Sequence, residues 1–411
     1  MKGNVIVGQS GGPTAVINSS LAGVYRTAVD RGAKKVYGML YGIQGLLDEQ
    51  YVDLSKFIRS DLDVEILKRT PSAFLGTCRY KLPDIHENQE IYVKIFEILN
   101  KLNIECFIYI GGNDSMDTIK KLSDYAILTG QSQKFVGVPK TIDNDLALTD
   151  HTPGYGSAAK YIATSTKEVI RDGIGFSYKK QQVIIIEIMG RNAGWLTGAA
   201  ALSRGEDCDG PDLIYLPELT FDIEKFTAKV RKLLEKKDVV VMAVSEGIRI
   251  KDGRYVSELG SASDYVDAFG HKQLTGTASY LANVIHRDIG CKTRAVEFST
   301  LQRSAAHLAS RVDVNEAFMV GGAAVKAADE GDSGKMVVID RVSDDPYQCA
   351  TGIYDVHKIA NGEKMVPREW ITKDGTYVTE EFIDYVRPLI QGDSPSVMVD
   401  GIPRHLYMGK K

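Results

Sequence analysis

The fold is decided by the stretch Phe135-Val-Gly-Val-Pro-Lys-Thr-Ile-Asp-Asn-Asp145, in which an apolar run ends at Pro139 and polar residues follow at once. Pro139 disfavours the continuation of a helix or a central strand, because it lacks a backbone N–H. The polar residues are therefore predicted to lie on a turn at the carboxyl end of a strand, where ligands bind in open α/β sheets. There Lys140 can hold an anion, and Asp143 and Asp145 can act as a general base and as a metal or hydroxyl partner. A solvated loop with an Asx turn fits the same stretch, so both interpretations stay open.

The composition is that of a globular protein with more than one domain. The chain has 411 residues and a mass of 45.2 kDa, with 44% hydrophobic and 25% charged residues. This length allows two or three domains with cores of their own. The net charge of −4 and the pI near 6.0 argue against a nucleic-acid partner. They still allow a site that concentrates basic residues around a small anion.

Cysteine use and the N-terminus predict a cytoplasmic location without membrane contact. The five cysteines are scattered, with neither a Cys-x-x-Cys pair nor the spacing of metal ligands. An odd, unpatterned set predicts reduced thiols. The first seven residues enter a strand-like run without a signal peptide. No apolar run approaches 18 residues, so no membrane span is predicted.

Strand-like and helix-like segments alternate along the chain. Strands are predicted at 4–7, 35–40, 105–110, the run before Pro139, 182–188, 213–216, 239–244, 294–298 and, as the final strand, 335–342. Helices are predicted at 15–29, 87–102, from 115 to about 126, 156–171, after Gly194, 222–237, 275–288 and 313–330, and 41–84 is predicted to be less regular. This alternation predicts an α/β protein with two doubly wound, mostly parallel sheets that share a cleft. We expect interleaved domains at about 1–150, 151–310 and 311–411, the last returning to the first.

Glycine-rich turns follow several of the predicted strands. Gly11-Gly12, Gly111-Gly112, the turn at Lys140 and Met189-Gly-Arg191 are such turns. Glycine lets the backbone approach a ligand, and the free N–H groups of a following helix favour an anion. One such turn is weak evidence, whereas four together predict a phosphate site. A P-loop motif is absent, and Gly154-Tyr-Gly-Ser-Ala-Ala159 lacks the preceding strand of a dinucleotide site and is predicted to begin a helix.

The motifs, taken in order, resemble those of 6-phosphofructokinases, and in detail the diphosphate-dependent branch. They are Gly-Gly-Pro-Thr, Phe-Leu-Gly-Thr-x-Arg, Gly-Gly-Asn-Asp-Ser, Pro-Lys-Thr-Ile-Asp-Asn-Asp, Met-Gly-Arg-x-x-Gly, Ser-Glu-Gly and a pair of arginines ending at Gln-Arg303, and they span about three quarters of the chain. The resemblance implies the phosphofructokinase type of fold, with the active site between a diphosphate-binding and a fructose 6-phosphate-binding domain. It also implies Mg²⁺ as cofactor and a homodimer or homotetramer with shared active sites.

Roles for individual residues follow from this resemblance. It makes Asp143 the base that takes the proton from the C1 hydroxyl, and neighbouring cations are expected to keep this carboxylate ionised. Asp145, Lys140, Asp114 and Arg191 are further catalytic candidates. Substrate contacts are implied for Gly11, Gly12, Arg79, Thr141, Ile142, Met189, Gly190, Glu246, Arg294, Thr300 and Arg303. Arginine suits a 6-phosphate because its planar fork makes paired hydrogen bonds to phosphate. The counterpart of Arg294 reaches across from a neighbouring subunit in the family.

Simpler interpretations remain for some of these residues. Met189 also fits a core position, and Glu246 fits the first turn of a helix. Arg294 and Arg303 also fit surface salt bridges, which stabilise little. These alternatives stay open from the sequence alone.

Two positions bear on the phosphoryl donor. ATP-using relatives carry glycine where Asp114 stands and usually where Lys140 stands. The carboxylate of Asp114 would fill the space of a nucleotide α-phosphate and repel it, and Lys140 would stabilise charge on diphosphate. Alternatively, Asp114 caps the following helix. Asn113 replaces an aspartate that commonly helps hold Mg²⁺, so a neutral oxygen must serve or Asp114 must take over.

The sequence therefore predicts an enzyme that transfers a phosphoryl group from diphosphate to fructose 6-phosphate. An ATP-dependent 6-phosphofructokinase is the first alternative. A phosphosugar-binding regulator without turnover is the second, and it would leave Asp143 without a role. Ala22 stands where regulated bacterial members of the family have an arginine of the effector site. We therefore do not expect allosteric regulation of that kind.

Overall fold

The structure is a computed structural model that describes residues 1–260, 276–359 and 362–409. Its strands are β1 Asn4–Gln9, β2 Val36–Met39, β3 Tyr51–Asp53, β4 Ile104–Gly111, β5 Lys134–Pro139, β6 Gln182–Ile188, β7 Leu213–Tyr215, β8 Val239–Ser245, β9 Lys292–Glu297, β10 Lys335–Asp344, β11 Tyr347–Asp355, β12 Met398–Val399 and β13 Ile402–Pro403. Its α-helices are α1 Ile17–Asp30, α2 Gly42–Leu47, α3 Asp61–Lys68, α4 Gln89–Lys101, α5 Asn113–Thr129, α6 Tyr155–Gly175, α7 Trp195–Gly198, α8 Ile223–Leu234, α9 Thr277–Ile289, α10 Leu301–Ser304, α11 Arg311–Asp329, α12 Val356–Ile359 and α13 Glu380–Val386.

The predicted elements are present, and one prediction about the chain's organisation is wrong. The strand at 335–342 is not the last, because it continues to residue 344 and pairs with β11 as an antiparallel hairpin. The mixed, half-exposed sequence of β11 gave no periodic signal. The segment 41–84 also contains α2, β3 and α3, which are too short to show a clear period. The predicted helix at 275–288 begins at residue 277 in the structure, and residue 275 lies outside the described part.

The first sheet brings the turns that follow β1, β4 and β5 to one edge. Its strand order is β11-β10-β5-β4-β1-β2-β3, with β10, β5, β4, β1 and β2 parallel to one another. Gly111 pairs with Pro139, so β4 and β5 end at the same level. The turns after them stay joined, since the Lys140 N–H donates to the Gly111 carbonyl over 3.0 Å. The turn after β1 joins this edge through the Ser10 N–H, which donates to Ile110 over 2.9 Å.

The second sheet is parallel throughout its described strands, in the order β7-β8-β6-β9. Ile188 pairs with Ser245, so β6 and β8 also end together. The turn after β8 is tied back to β6, because the Glu246 N–H donates to the Ile188 carbonyl over 2.9 Å. The Met189–Gly190 turn and Glu246 are therefore neighbours.

The central strands of both sheets are buried on both faces, as the doubly wound arrangement requires. In β4, Phe107 packs into one hydrophobic core while Ile108 packs into another. In β6, Ile184 and Ile185 likewise belong to cores on opposite sides. Successive side chains of a strand point to opposite faces, so continuous apolar strands need helices on both sides.

The C-terminal part of the chain returns to the first sheet through β10, in which Met336 pairs with Gly137 of β5. This pairing is compatible with an interleaved organisation, while the boundaries at 150 and 310 stay predictions. All five cysteines are free thiols. In the described part of the chain, every helix is too short or too polar to cross a membrane.

Candidate active site

The carboxyl ends of the two sheets face a cleft with two connected chambers. The chambers share Gly12, Arg79, Lys140, Thr141, Asp143, Asp145 and Glu363. The first, called here the arginine chamber, has a volume of about 300 Å³ and is completed by Pro13, Ile142, Met189, Arg191, Asn192, Ala193, Glu246 and Arg303. The second, called here the glycine chamber, has a volume of about 620 Å³ and is completed by Ser10, Gly11, Gly112, Asn113, Asp114 and Ser115. Most of the predicted site residues therefore meet in one place.

Lys140 lies at the junction of the two chambers. Its side chain is buried, and its Nζ donates a hydrogen bond to the Gly12 carbonyl over 2.7 Å. Burial lowers the pKa of this ammonium to about 8, with Arg303 adding to the effect and Asp143 opposing it. Gly11 has a φ of +76°, and a Cβ there would lie 3.3 Å from this Nζ. Glycine is thus required where the backbone passes the ammonium.

Asp143 reaches the same junction from the turn after β5. Its backbone N–H donates a hydrogen bond to the Thr141 Oγ1 over 3.1 Å. Burial raises the pKa of the Asp143 carboxyl, while Lys140 and Arg303 counteract the increase. Burial therefore has a larger effect on this pKa than the neighbouring cations, and the expectation that these cations keep the carboxylate ionised stays a prediction. A carboxylate with a raised pKa binds a proton more strongly, which suits a general base.

Asp145 follows two residues later and lines both chambers. Burial and the nearby Asp143 raise its pKa to about 7. Asn144, between the two carboxylates, is fully buried and has a φ of +56°. Its Oδ1 accepts from the Thr152 N–H over 3.1 Å. The alternative of a solvated loop with an Asx turn is wrong, because this asparagine anchors the turn inside the protein.

The arginine chamber is lined by carboxylate and guanidinium groups that can bind a polar ligand. Burial, and next Asp143, raise the pKa of Glu246 to about 8, and its Oε1 accepts from the Gly190 N–H over 3.4 Å. Burial lowers the pKa of Arg303, and Arg79 adds to this effect. Met189 lines the chamber and also packs against a hydrophobic core, so both interpretations of this residue fit its position. Glu246 and Arg303 line the chamber as well, so the helix-start and surface interpretations do not describe their positions. These charged groups are available to a polar anionic ligand.

The glycine chamber lies at the start of α5. Gly112 is the N-cap of this helix and supplies no side-chain cap, and Asp114 lies in the first turn. Asp114 lines the chamber instead of capping the helix. The Oδ1 of Asn113 is buried without a hydrogen-bond partner. An unpaired buried carbonyl oxygen is costly, which indicates that this atom is aimed at a ligand.

Arg294 and Thr300 are not part of either chamber. Arg294 lies on β9, where its Nη1 is 2.9 Å from the Asp172 Oδ2 and 43% of its side chain is exposed. Thr300 is exposed, and its carbonyl accepts from the Arg303 N–H over 3.2 Å. The role of Arg294 was expected to require a second subunit, so a single chain does not test it. The position of Thr300 gives no support to a substrate contact within one chain.

Sequence reasoning missed Glu363 and Asn192. The Asn192 Nδ2 donates to the Glu363 Oε1 over 3.1 Å, and the next residue, Lys364, donates its N–H to the Asp145 carbonyl over 2.8 Å. Asn192 stands inside the Met-Gly-Arg motif and could have been found by position. Glu363 lies in a non-periodic segment far along the chain, and only its tertiary contacts reveal it.

The side chains that line the cleft could hold a metal ion only as part of a larger set of ligands. In the described residues, no three His, Cys, Asp or Glu side chains are grouped closely enough to hold one. Mg²⁺ commonly keeps waters and substrate phosphates and takes only one or two carboxylates from the protein. The unpaired Asn113 Oδ1 and the carboxylates of Asp114 and Asp145 fit such a partial set.

The fold and the cleft together define an α/β protein in which turns rich in glycine and charged residues, from two sheets, line one cleft. A family model described as phosphofructokinase matches residues 4–328. The chain belongs to the phosphofructokinase family, which confirms the predicted resemblance.

Individual relatives extend the similarity to nearly the whole chain. The chain is 43% identical to the pyrophosphate–fructose 6-phosphate 1-phosphotransferase of Xanthomonas campestris pv. campestris, over 99% of this chain and 96% of that protein. It is 40% identical to the protein of the same name from Halomonas elongata, over 99% and 96%. The crystal structure of the pyrophosphate-dependent phosphofructokinase from Nitrosospira multiformis superposes with a TM-score of 0.88 at 37% identity, covering 98% of this chain and 95% of that chain. The predicted fold class is thereby confirmed.

Proposed function

We propose that the protein transfers a phosphoryl group from diphosphate to the C1 hydroxyl of D-fructose 6-phosphate, giving fructose 1,6-bisphosphate and phosphate in a reversible reaction. The observation that carries the proposal is the presence of both Asp114 and Lys140 on the wall of the glycine chamber. A carboxylate there leaves no room for the further charge of a nucleotide, and the ammonium favours a compact anion. The names of the Xanthomonas and Halomonas relatives support the same donor.

The proposed mechanism follows from the groups at the junction of the chambers. Asp143 accepts the proton of the C1 hydroxyl as the hydroxyl oxygen attacks a phosphorus of diphosphate, and the P–O–P bond breaks to release phosphate. Lys140 stabilises the charge that develops on the transferred group, and Arg191 and Arg303 hold the sugar phosphate in line for transfer. Thr141, through its hydrogen bond from the Asp143 N–H, keeps the base oriented. Catalysis is then mainly positioning and charge stabilisation.

The remaining wall residues have proposed binding roles. The backbone turns carry the phosphates, and the side chains of Arg79 and Glu246 contact phosphate and sugar hydroxyls. The residues of a single chain that we propose to bind substrate are Gly11, Gly12, Arg79, Thr141, Ile142, Met189, Glu246 and Arg303 on the chamber walls, together with Gly190, whose N–H donates to Glu246. Thr300 is not included in this set, because it lies near Arg303 but lines neither chamber.

Mg²⁺ is the proposed cofactor, held by the Asn113 Oδ1 with Asp114 or Asp145. When bound, it would offset the negative charge of diphosphate. A cytoplasmic location and a homo-oligomeric state, dimer or tetramer, are part of the same proposal.

Two other functions remain to be tested. The Streptomyces coelicolor relative, 30% identical over 80% of this chain, is named an ATP-dependent 6-phosphofructokinase, and a regulator without turnover would bind sugar phosphate only. A coupled assay with fructose 6-phosphate compares diphosphate with ATP. We expect turnover with diphosphate and little or none with ATP. Efficient turnover with ATP would favour the first alternative, and binding without turnover would favour the second.

Arg294→Ala tests the proposed sharing of sites between subunits. We expect the KM for fructose 6-phosphate to rise by about 10-fold or more, because a charge-assisted phosphate contact is lost, with a smaller change in kcat. Steady-state kinetics with fructose 6-phosphate measure both. Lys292→Ala, on the same exposed strand, is the matched control.

Mixing the Arg294→Ala protein with an Asp143→Asn protein gives a second readout. If Arg294 acts on a neighbour's site, reassembled mixtures regain activity, because some sites combine an intact base with an intact arginine. Mixed oligomers without regained activity would contradict a shared site.

A further inference from the structure

The catalytic turn is supported from a part of the chain that lies beyond the matched family region, which ends at residue 328. Tyr385, on the short helix α13, is the centre of this support. Its hydroxyl accepts a hydrogen bond from the Asn144 Nδ2 over 2.9 Å and donates one to the Asp150 carbonyl over 2.6 Å. One hydroxyl therefore ties together both ends of the loop that starts with the two catalytic carboxylates.

Asn144 transmits this contact to the carboxylates. It stands between Asp143 and Asp145, and its backbone has a left-handed φ of +56°. A non-glycine residue keeps this conformation only where its surroundings hold it. Its side chain is held at both ends, by Tyr385 at Nδ2 and by the Thr152 N–H at Oδ1. The peptide planes on either side of Asn144, which set the directions of Asp143 and Asp145, are thus fixed through this amide.

Tyr385 is itself held in place by several independent contacts. Its ring centroid lies 5.2 Å from that of Trp195 and 5.3 Å from that of Trp370. The guanidinium of Arg341 lies 4.7 Å from the same ring centroid and donates to the Tyr385 carbonyl over 3.0 Å. Arg341 also pairs with the Asp150 carboxylate at 3.0 Å. The hydroxyl therefore has one position relative to the loop.

We propose that Tyr385 is a positioning residue for phosphoryl transfer, which holds the Asp143–Asp145 turn in its reactive geometry through Asn144. This inference rests on the proposed function. It assigns a role to the C-terminal segment that no motif of the chain indicated. Small displacements of a catalytic group reduce the rate of the chemical step more than they reduce substrate binding.

Tyr385→Phe tests the proposal, because it keeps the ring and its packing and removes only the hydroxyl. We expect kcat to fall by roughly 10- to 100-fold, as a misplacement of about 1 Å can cost that much. We expect the KM values for diphosphate and fructose 6-phosphate to change by less than about two-fold, since the groups that hold the phosphates are untouched. Steady-state kinetics give both parameters, and thermal melts give the stability of each variant.

Tyr25→Phe is the matched control, because the Tyr25 hydroxyl also donates to a backbone carbonyl, that of Ile58 over 3.0 Å, away from the cleft. Both variants lose one hydrogen bond of this kind, and Tyr385→Phe also loses the bond from the Asn144 Nδ2, so its loss of stability is expected to be at least as large. Only Tyr385→Phe is expected to lower kcat. Equal kcat values in the two variants, or a kcat loss that merely follows the folded fraction, would overturn the positioning role.

Asn144→Gly supplies the second test, since glycine accepts the positive φ and removes the amide. If Tyr385 acts through Asn144, adding Tyr385→Phe to Asn144→Gly lowers kcat no further. Additive losses would overturn the transmission through Asn144. If the wild-type protein turns over diphosphate and the Tyr385→Phe variant has the same kcat, only this inference is overturned. If the wild-type protein transfers no phosphoryl group, the proposed function is overturned.

Discussion

Asp143→Asn is expected to lower kcat by roughly 10²- to 10⁴-fold, the span usual for a positioned general base. The amide has nearly the same shape, but it cannot accept the proton of the attacking hydroxyl. The hydrogen bond between the Asp143 N–H and Thr141 does not involve the carboxylate, so the turn keeps its conformation. Binding of fructose 6-phosphate is expected to be retained or strengthened, because one negative charge leaves the chamber.

Turnover in the coupled assay and fructose 6-phosphate binding by calorimetry measure the two halves of this expectation. Asp48→Asn, an exposed aspartate at the end of α2, is the matched control and should behave as the wild type. A melting temperature near that of the wild type shows that the fold is intact. Near-normal turnover of the Asp143→Asn protein would remove this carboxylate from the mechanism.

Replacing Asp114 and Lys140 together by glycine is expected to reverse the preference for the phosphoryl donor. The single change Asp114→Gly removes bulk and negative charge from the glycine chamber, so weak activity with ATP should appear. Lys140→Gly removes the buried ammonium, and diphosphate turnover should fall by roughly 10²- to 10³-fold, as for the loss of one preorganised charge-stabilising group. The double variant should therefore use ATP better than diphosphate.

The kcat/KM ratio for each donor, measured in wild type, both single variants and the double variant, checks this expectation. The two positions line the same chamber, so their effects are not expected to add. Ser115→Ala, on the same wall, keeps the charge pattern and serves as the control. Efficient use of ATP by the unmodified protein would contradict the donor assignment whatever the variants did.

The burial of charge at the junction of the chambers explains why these two replacements carry the largest expected effects. Burial destabilises the charged forms of both Lys140 and Asp143, and each group shifts the other's pKa back towards its ordinary value. Electrostatic interactions are stronger where water is excluded. A change of one charge at this junction therefore alters turnover far more than a change at an exposed arginine such as Arg294.

The sequence by itself determined the sheet architecture and most of the site. Apolar runs that end at Pro139 and at glycine pairs defined strands and the turns after them, because local backbone chemistry decides where such strands stop. Parallel strands place the turns of each sheet at one edge, and the family resemblance assigned Lys140, Asp143 and Arg191 to one active site. The motifs that carry the family resemblance consist of these same turn residues.

Only the tertiary structure decided which other groups reach the cleft and how the carboxylates are held. Glu363 and Tyr385 come from segments without a periodic pattern, and their roles depend on contacts with residues more than 160 positions away, such as Asn192 and Asn144. The raised pKa values of Asp143, Asp145 and Glu246 likewise arise from burial that no local pattern encodes. Burial and long-range hydrogen bonds are properties of the folded chain as a whole, so they are decided only when distant segments pack together.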